Sequence, residues 1–115
     1  MLIQTSEMAT EVRDNMRGGA GQAAITHIAQ GNALPKNVRL SAAITLQPGS
    51  SIGYHVHENE TEIFYFVSGS GKVDDNGEEK AVKAGDCLIT PSGTGHSVQN
   101  DGSETLVFFA VIVLN

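Results

Sequence analysis

The sequence predicts an all-β protein folded as one domain. Thirteen glycines provide frequent turns, many of the apolar residues are β-branched, and apolar and polar residues alternate in several short stretches. A chain of 115 residues has room for one hydrophobic core and not for two. Short strands at this spacing are typical of a small sandwich or barrel.

The N-terminal third carries the weakest structural signals. Residues 1–35 are expected to form a segment whose strands pack on the main barrel or on a partner subunit. Within it, a short helix is an option between Thr5 and Met16, and the glycine-rich residues 18–21 are predicted to form a loop. The main β-barrel is expected to span residues 36–115.

Alternation and turn residues predict the strands of this barrel in order. Residues 37–46 form the first strand, and Pro48-Gly49 ends it. Its inward residues are Leu40, Ala42, Ile44 and Leu46. Asn76-Gly77 is a dipeptide that closes tight hairpins, here joining residues 72–74 to 80–83. The other predicted strands lie at residues 53–57, 62–68, 87–90, 96–99 and 104–114.

The last strand contains an uninterrupted apolar run, Leu106–Leu114. Its nine residues are too few to span a bilayer. A continuous apolar strand implies burial on both faces, and a barrel of this size covers only one of them. We therefore predict a homodimer in which a second copy covers the other face.

Composition excludes several classes of partner. The net charge of −6 argues against binding to nucleic acid or to an anionic membrane surface. Cys87 is the only cysteine, so no intrachain disulfide can form. Polar residues follow Met1-Leu2-Ile3 at once, which leaves no apolar stretch for a signal peptide. We expect a cytoplasmic protein.

Four residues in two stretches of the chain form a candidate metal site. His55 and His57 are two residues apart and therefore point to the same face of a strand. Glu62 and His96 can join them from neighbouring strands. Three imidazoles and one carboxylate suit Mn, Fe, Ni, Cu or Zn. Four protein ligands on an octahedral ion leave two positions open for water, dioxygen or both oxygens of a small acid.

Other histidines and glutamates compete for these roles. Glu58 and Glu60 are predicted to lie in a solvated turn, whereas Glu62 begins an apolar strand. His27 lies outside both stretches and is predicted to be structural. Among the apolar residues, Phe64 and Phe66 share the parity of Glu62 and should face the same interior, either as pocket lining or as core packing.

The spacing of ten residues resembles the two-part signature of the cupin superfamily. The pattern is G-x5-H-x-H-x4-E-x6-G followed by G-x5-P-x-G-x2-H-x3-N. The matching residues are Gly49, His55, His57, Glu62, Gly69, Gly85, Pro91, Gly93, His96 and Asn100. Residues 17–21 also resemble the N-terminal segment of small, single-domain prokaryotic cupins, which are loosely described as oxalate-decarboxylase-like.

This resemblance implies a jelly-roll β-barrel and a metal bound by His55, His57, Glu62 and His96. It favours Mn as the divalent metal and places Phe108 beside the metal, together with Phe64 and Phe66 as pocket lining; periodicity alone does not choose between the two faces of the last strand. The implied ligand is a small anionic or oxygen-rich molecule. The implied activity is that of an oxalate-decarboxylase-like or dioxygenase-like metalloenzyme that decarboxylates, oxygenates or isomerises a small acid or enol.

One departure from the resemblance keeps other functions open. Oxalate decarboxylases carry an arginine three residues before the first histidine, and here that residue is Ile52. Arg39 is the nearest candidate for binding a substrate carboxylate, but an exposed, solvated side chain is the preferred interpretation. No general acid or base stands out, so a metal-dependent binding or sensing protein without turnover is the alternative. A purely structural domain would leave the four-ligand pattern unexplained.

Overall fold

The computed structural model describes residues 1–115 and contains ten β-strands. In chain order these are β1 Ala9–Asp14, β2 Gln22–His27, β3 Val38–Leu46, β4 Ser51–Val56, β5 Glu60–Ser68, β6 Ser70–Asp75, β7 Glu78–Lys83, β8 Cys87–Thr90, β9 Gly95–Gln99 and β10 Leu106–Leu114. Three short 3-10 turns complete the structure, at Thr5–Glu7, Met16–Gly18 and Gly31–Ala33. No helix has the length and apolar character needed to cross a membrane.

The strands form two antiparallel sheets. The large sheet has the strand order β1-β2-β3-β10-β5-β8, and the small sheet has the order β4-β9-β6-β7. Strands that are distant in sequence are neighbours in both sheets, as in β3-β10-β5 and β4-β9-β6, which is the pattern of a jelly roll. The predicted all-β jelly-roll fold is therefore confirmed, with two facing sheets rather than one continuous ring of hydrogen bonds.

The hydrophobic core lies between the two sheets. Along β10 every second residue is buried, and this inward face carries Phe108. Along β3 the predicted inward residues are buried or packed against the core. The small sheet contributes Ile52, Val73 and Val98, each at most 2% exposed. Each such side chain stabilises the fold by about 1.5–3 kcal/mol relative to its exposed state.

The hairpin predicted from Asn76-Gly77 is present between β6 and β7. Asn76 has φ +49° and Gly77 has φ +98°. Two consecutive residues with positive φ are what a type I′ turn requires, and this turn matches the twist of the strands it joins.

The N-terminal segment differs from one expectation. Residues within 5–16 form β1 and two 3-10 turns, so the short helix considered there is wrong. β1 pairs with β2 along six residue pairs, and β2 in turn pairs with β3 at the edge of the large sheet. Thr10 and Thr26 also share a side-chain hydrogen bond of 2.8 Å across β1 and β2. Pairing on an existing sheet edge thus outweighs a weak local preference for helix.

The outer face of the large sheet is apolar around β10. Val107, Phe109, Val111 and Val113 point outward and are only partly covered within one chain. On the neighbouring strands Tyr65, Val67 and Ile89 are each half exposed or more. This surface is the one that the predicted second copy would cover, and dimerisation stays a prediction.

Candidate metal centre

The four candidate ligands come from both sheets. His55 lies in β4 and pairs directly with His96 in β9, so their side chains leave the small sheet side by side. His57 follows just after the end of β4, and Glu62 reaches across from β5 of the large sheet. One donor atom from each of these four residues lies within 4.8 Å of all the others. The sequence spacing therefore identified residues that the fold brings together.

Distances between the donor atoms are short and similar. His96 Nε2 lies 3.2 Å from His57 Nε2 and 3.2 Å from His55 Nε2. Glu62 Oε1 lies 2.9 Å from His57 Nε2 and 3.0 Å from His96 Nε2. Two donors about 2.1 Å from a common ion, at right angles to each other, would be about 3.0 Å apart. Tetrahedral angles would give about 3.4 Å, so these four separations are those expected of ligands bound to a single first-row ion.

Hydrogen bonds on the opposite side of each ring orient these donors. His55 Nδ1 donates to the carbonyl oxygen of Gly53 at 2.8 Å, and His57 Nδ1 donates to the Glu60 carboxylate at 2.6 Å. Both partners only accept, so the proton is on Nδ1 and the Nε2 lone pair faces the centre. Such partners fix the tautomer of metal-binding histidines.

His96 is held by packing as well as by hydrogen bonding. Its Nδ1 lies 2.7 Å from the hydroxyl oxygen of Thr90, which can accept the proton. The Phe64 ring stacks on the imidazole with 4.7 Å between ring centroids and 20° between planes. His96 and Thr90 are each 1% exposed, so the ring has a single orientation available in a tightly packed environment.

The electrostatics of the site favour a bound cation. Burial would raise the pKa of Glu62, but without a metal His57 and His96 can also carry a proton on Nε2 and donate it to Glu62, and these hydrogen bonds outweigh burial and hold the pKa below its usual value. The hydrogen bond to Glu62 is the main cause of a raised pKa for His57. Burial lowers the pKa of His55, and the nearby imidazoles and the Arg17 guanidinium add to this effect. A hydrogen-bonded proton is shared by only two of these donor atoms, whereas one metal ion can be bound by all four.

Glu60 supports the candidate ligand His57, a role that the sequence did not predict. It was expected in a solvated turn, but it lies in β5 with a side chain only 12% exposed. It accepts two hydrogen bonds from Arg39, both 2.7 Å long, in addition to the one from His57. These contacts, Arg39 first, lower the pKa of Glu60 to about 2. The missed signal was parity, since residues 60 and 62 share one face of a strand. Glu58 is exposed, as expected.

A small cavity opens beside the four ligands. Its volume is about 100 Å³, well below the roughly 300–1,000 Å³ of pockets that bind drug-sized molecules. His55, His57 and Glu62 line it, and so does Phe64. Phe66 and Phe108, which were also expected on its wall, belong to the core and pack against Phe64 from behind. Both rings have the predicted parity, but Phe64 lies between them and the cavity.

The rim of the cavity is charged and comes largely from the N-terminal segment. Glu11, Arg13 and Arg17 line it together with Arg39 from β3. His27, which was expected to be structural, bonds Glu11 with 3.0 Å between Nε2 and Oε1 and links β2 to β1. No periodic pattern of residues indicates this rim, because it forms only when β1 is placed at the edge of the large sheet.

Comparisons with known proteins agree with this geometry. A family model described as "Cupin domain" matches residues 42–112. A Thermotoga maritima protein named oxalate-binding protein is 44% identical over 114 residues, which cover 99% of this chain and 94% of that protein. A crystal structure described as a predicted oxalate decarboxylase from Thermotoga maritima has a TM-score of 0.95 and 43% identity, with 100% of both chains covered. The oxalate decarboxylase of Bacillus subtilis is 34% identical over 76 residues, which cover 62% of this chain and 20% of that enzyme.

Proposed function

This chain belongs to the cupin family, and we propose that it binds a small oxygen-rich acid at a divalent metal ion held by His55, His57, Glu62 and His96. Manganese is the metal that we propose, by resemblance to oxalate-decarboxylase-like cupins; Fe, Ni, Zn and Cu suit the same donors. The observation that carries the proposal is the convergence of four donor atoms within 4.8 Å of one another.

The chemistry of the donor set supports an anionic ligand. With three neutral imidazoles and one carboxylate, a divalent ion keeps a charge near +1 and supplies a Lewis acid and a template. Phe64 and Ile52 give part of the cavity wall an apolar surface, inside the charged rim. Low dielectric strengthens the attraction of a residual charge for an anion, while the net charge of −6 is distributed over a screened surface.

Two further observations support a compact acid such as oxalate or a 2-oxo acid. The cavity of about 100 Å³ suits a ligand of only a few heavy atoms. The Thermotoga maritima relative that matches nearly the whole chain is named as an oxalate-binding protein. Oxalate and 2-oxo acids can each present two oxygens to the two coordination positions that four protein ligands leave open on an octahedral ion.

Binding without rapid turnover is the function that the site supports best. The two carboxylates on the cavity wall are engaged: Glu62 contacts His57 and His96, and Glu11 contacts Arg13 and His27. Neither is free to act as a general acid or base. Ile52, which stands where oxalate decarboxylases carry an arginine, is apolar and 2% exposed.

The second candidate is a metalloenzyme that acts on the same class of ligand by decarboxylation, oxygenation or isomerisation. The observation that favours it is the combination of the complete ligand set with a small adjoining cavity whose wall is partly apolar, because apolar walls restrict solvent and water-sensitive chemistry gains from that. In this case the fixed imidazoles orient the metal, and the cavity wall positions the acid.

The deciding experiment is calorimetric titration of oxalate into the Mn²⁺-loaded protein and into protein treated with a chelator. We expect binding to the loaded form alone. Equal binding to both forms would contradict a metal-held ligand. Incubation of the loaded protein with oxalate in air, followed by assay of formate and CO₂, tests the decarboxylation form of the second candidate, because decarboxylation of oxalate gives these two products.

Two accompanying proposals concern assembly and compartment. We propose a homodimer that buries the outer apolar face of β10, and a cytoplasmic location. Support for the first is the half-exposed Tyr65, Val67 and Ile89 beside that strand. Support for the second is the single exposed cysteine, Cys87, since a reducing compartment keeps such a thiol free.

A further inference from the structure

Three arginines line the cavity, and two of them are already paired. Arg13 contacts Glu11 at 3.0 Å. Arg39 holds Glu60 through two hydrogen bonds of 2.7 Å each. Arg17 makes no hydrogen bond or ion pair through its side chain, although it lines the same cavity as His55, His57 and Glu62. It is therefore the one guanidinium beside the centre that is free to bind an anion.

The backbone of Arg17 is in an unusual conformation. Its φ is 55° and its ψ is 29°, in the left-handed region, and Asn15 two residues earlier has φ 50°. Residues with a Cβ are disfavoured there, and Asn is more tolerant of it than Arg. Backbone strain of this kind persists only where the surrounding structure imposes it, and it is concentrated at functional sites.

Contacts with β4 impose this conformation. An ideal Cβ on Gly53 would lie 2.0 Å from the carbonyl oxygen of Arg17, and one on Gly19 would lie 2.2 Å from the carbonyl oxygen of Ser51. The two backbones therefore touch, which only glycine permits at these positions. Ser51 N donates to the Ala20 carbonyl at 2.9 Å and fixes the same contact. Because β4 also carries His55, the loop and the metal centre share one rigid support.

Building on the proposed function, we propose that Arg17 is the residue that binds the outward-facing carboxylate oxygens of the metal-held acid. A planar guanidinium matches a carboxylate with two parallel hydrogen bonds. An acid that offers one oxygen from each end to the metal keeps its remaining oxygens directed away from it. Arg17 supplies the donors for these oxygens from the N-terminal loop, and so sets the preference for acids with two oxygen-bearing carbons over simple monocarboxylates.

The test measures oxalate affinity of the Mn²⁺-loaded protein by calorimetry. The main variant is Arg17→Asn, because Asn tolerates left-handed backbone. The matched control is Arg13→Asn, which removes the same charge from the same cavity, but from a guanidinium that is already paired with Glu11. Arg17→Lys keeps the charge without the planar fork. Manganese content and melting temperature verify that each variant is folded and loaded.

We expect Arg17→Asn to weaken oxalate binding about tenfold or more, in line with the loss of hydrogen bonds between charged groups. Arg17→Lys should lie in between, and Arg13→Asn should stay within about twofold of the wild type. Acetate, which has no second carboxylate, should bind the wild type and Arg17→Asn alike.

Unchanged oxalate affinity in Arg17→Asn, with the wild type binding well, would overturn this inference and leave the proposed function standing. Equal weakening by Arg13→Asn would also overturn it, because the effect would then be one of overall charge. Failure of the loaded wild type to bind oxalate would overturn the proposed function, and with it the role of Arg17.

Discussion

The Glu60 carboxylate lies 2.6 Å from Nδ1 of His57, on the side of the ring opposite the metal centre. The same carboxylate accepts two hydrogen bonds from Arg39, whose side chain is 46% exposed. A chain of contacts thus runs from the surface through Glu60 to the candidate ligand. An anionic acceptor on Nδ1 makes the imidazole a stronger donor at Nε2 and fixes its orientation.

Replacing Glu60 should therefore weaken metal binding without removing a ligand. We expect Glu60→Ala to raise the Kd for Mn²⁺ about 10–100-fold, the usual effect of losing a partner of a metal-binding histidine. The matched control is Glu58→Ala, since Glu58 is a nearby exposed glutamate outside this network. Competition with a metal-binding dye measures both constants. Equal affinities in the two variants would mean that Glu60 does not support the centre.

Removing a ligand should abolish metal binding and leave the fold intact. His55→Ala and His96→Ala, singly and together, should lose most bound metal, whereas His27→Ala should keep it because His27 contacts Glu11 instead. Metal at 100 times its Kd stabilises a protein by about 2.7 kcal/mol, so a metal-induced rise in melting temperature should be absent in the ligand variants alone. Elemental analysis and circular dichroism provide the measurement. Full occupancy in the double variant would refute the assignment.

Acid should weaken the metal-free protein partly through Glu60. Its pKa in the folded protein is lowered from 4.5 to about 2. A lowered carboxyl pKa contributes stability that is complete above the unfolded value and is lost as pH falls through the folded value. The free energy of unfolding of the chelator-treated wild type should therefore fall between about pH 5 and pH 2 more steeply than that of Glu60→Ala. Urea titrations at four pH values measure this, and parallel pH profiles would contradict it.

The sequence predicted the strands and the ligand set because both depend on local periodicity. His55 and His57 share a face for the same reason that the inward residues of β3 do, and the turn at Asn76-Gly77 needs no tertiary information. The features that the sequence did not predict depend on contacts between distant parts of the chain. β1 forms because β2 offers a free edge, which no local pattern reveals. The left-handed backbone of Arg17 lies against Gly53, which is distant in sequence.

The homodimer prediction follows from the outer face of the large sheet. Tyr65 is 50% exposed and pairs in register with Phe109 of β10 at the centre of this apolar surface. We expect light scattering to give about twice the 12.1 kDa of one chain, because monomers rarely expose a continuous apolar patch of this kind. Tyr65→Lys should shift the protein towards the monomer. Val56→Lys is the control, since Val56 is also 50% exposed but lies in the small sheet. A monomeric wild type at micromolar concentration would contradict the prediction.

The contact between the N-terminal loop and β4 predicts a separation of ligand binding from metal binding. Gly19 has φ −73°, which alanine adopts freely, so a Gly19→Ala variant is strained only by the clash of its Cβ with Ser51, whose carbonyl oxygen would be 2.2 Å away. Overpacking of this kind costs about 1–3 kcal/mol, and the loop can relieve it by moving away from β4. We therefore expect Gly19→Ala to lower the melting temperature and to weaken oxalate binding severalfold. Its manganese content should stay at the wild-type level, because none of the four ligands lies in the loop.

Gly102→Ala is the matched control, since the nearest neighbour of its Cβ would be the Ser70 hydroxyl at 3.3 Å, and Gly102 does not line the cavity. Oxalate affinity and stability of Gly19→Ala equal to those of Gly102→Ala would show that the close approach of the loop is not required for either property.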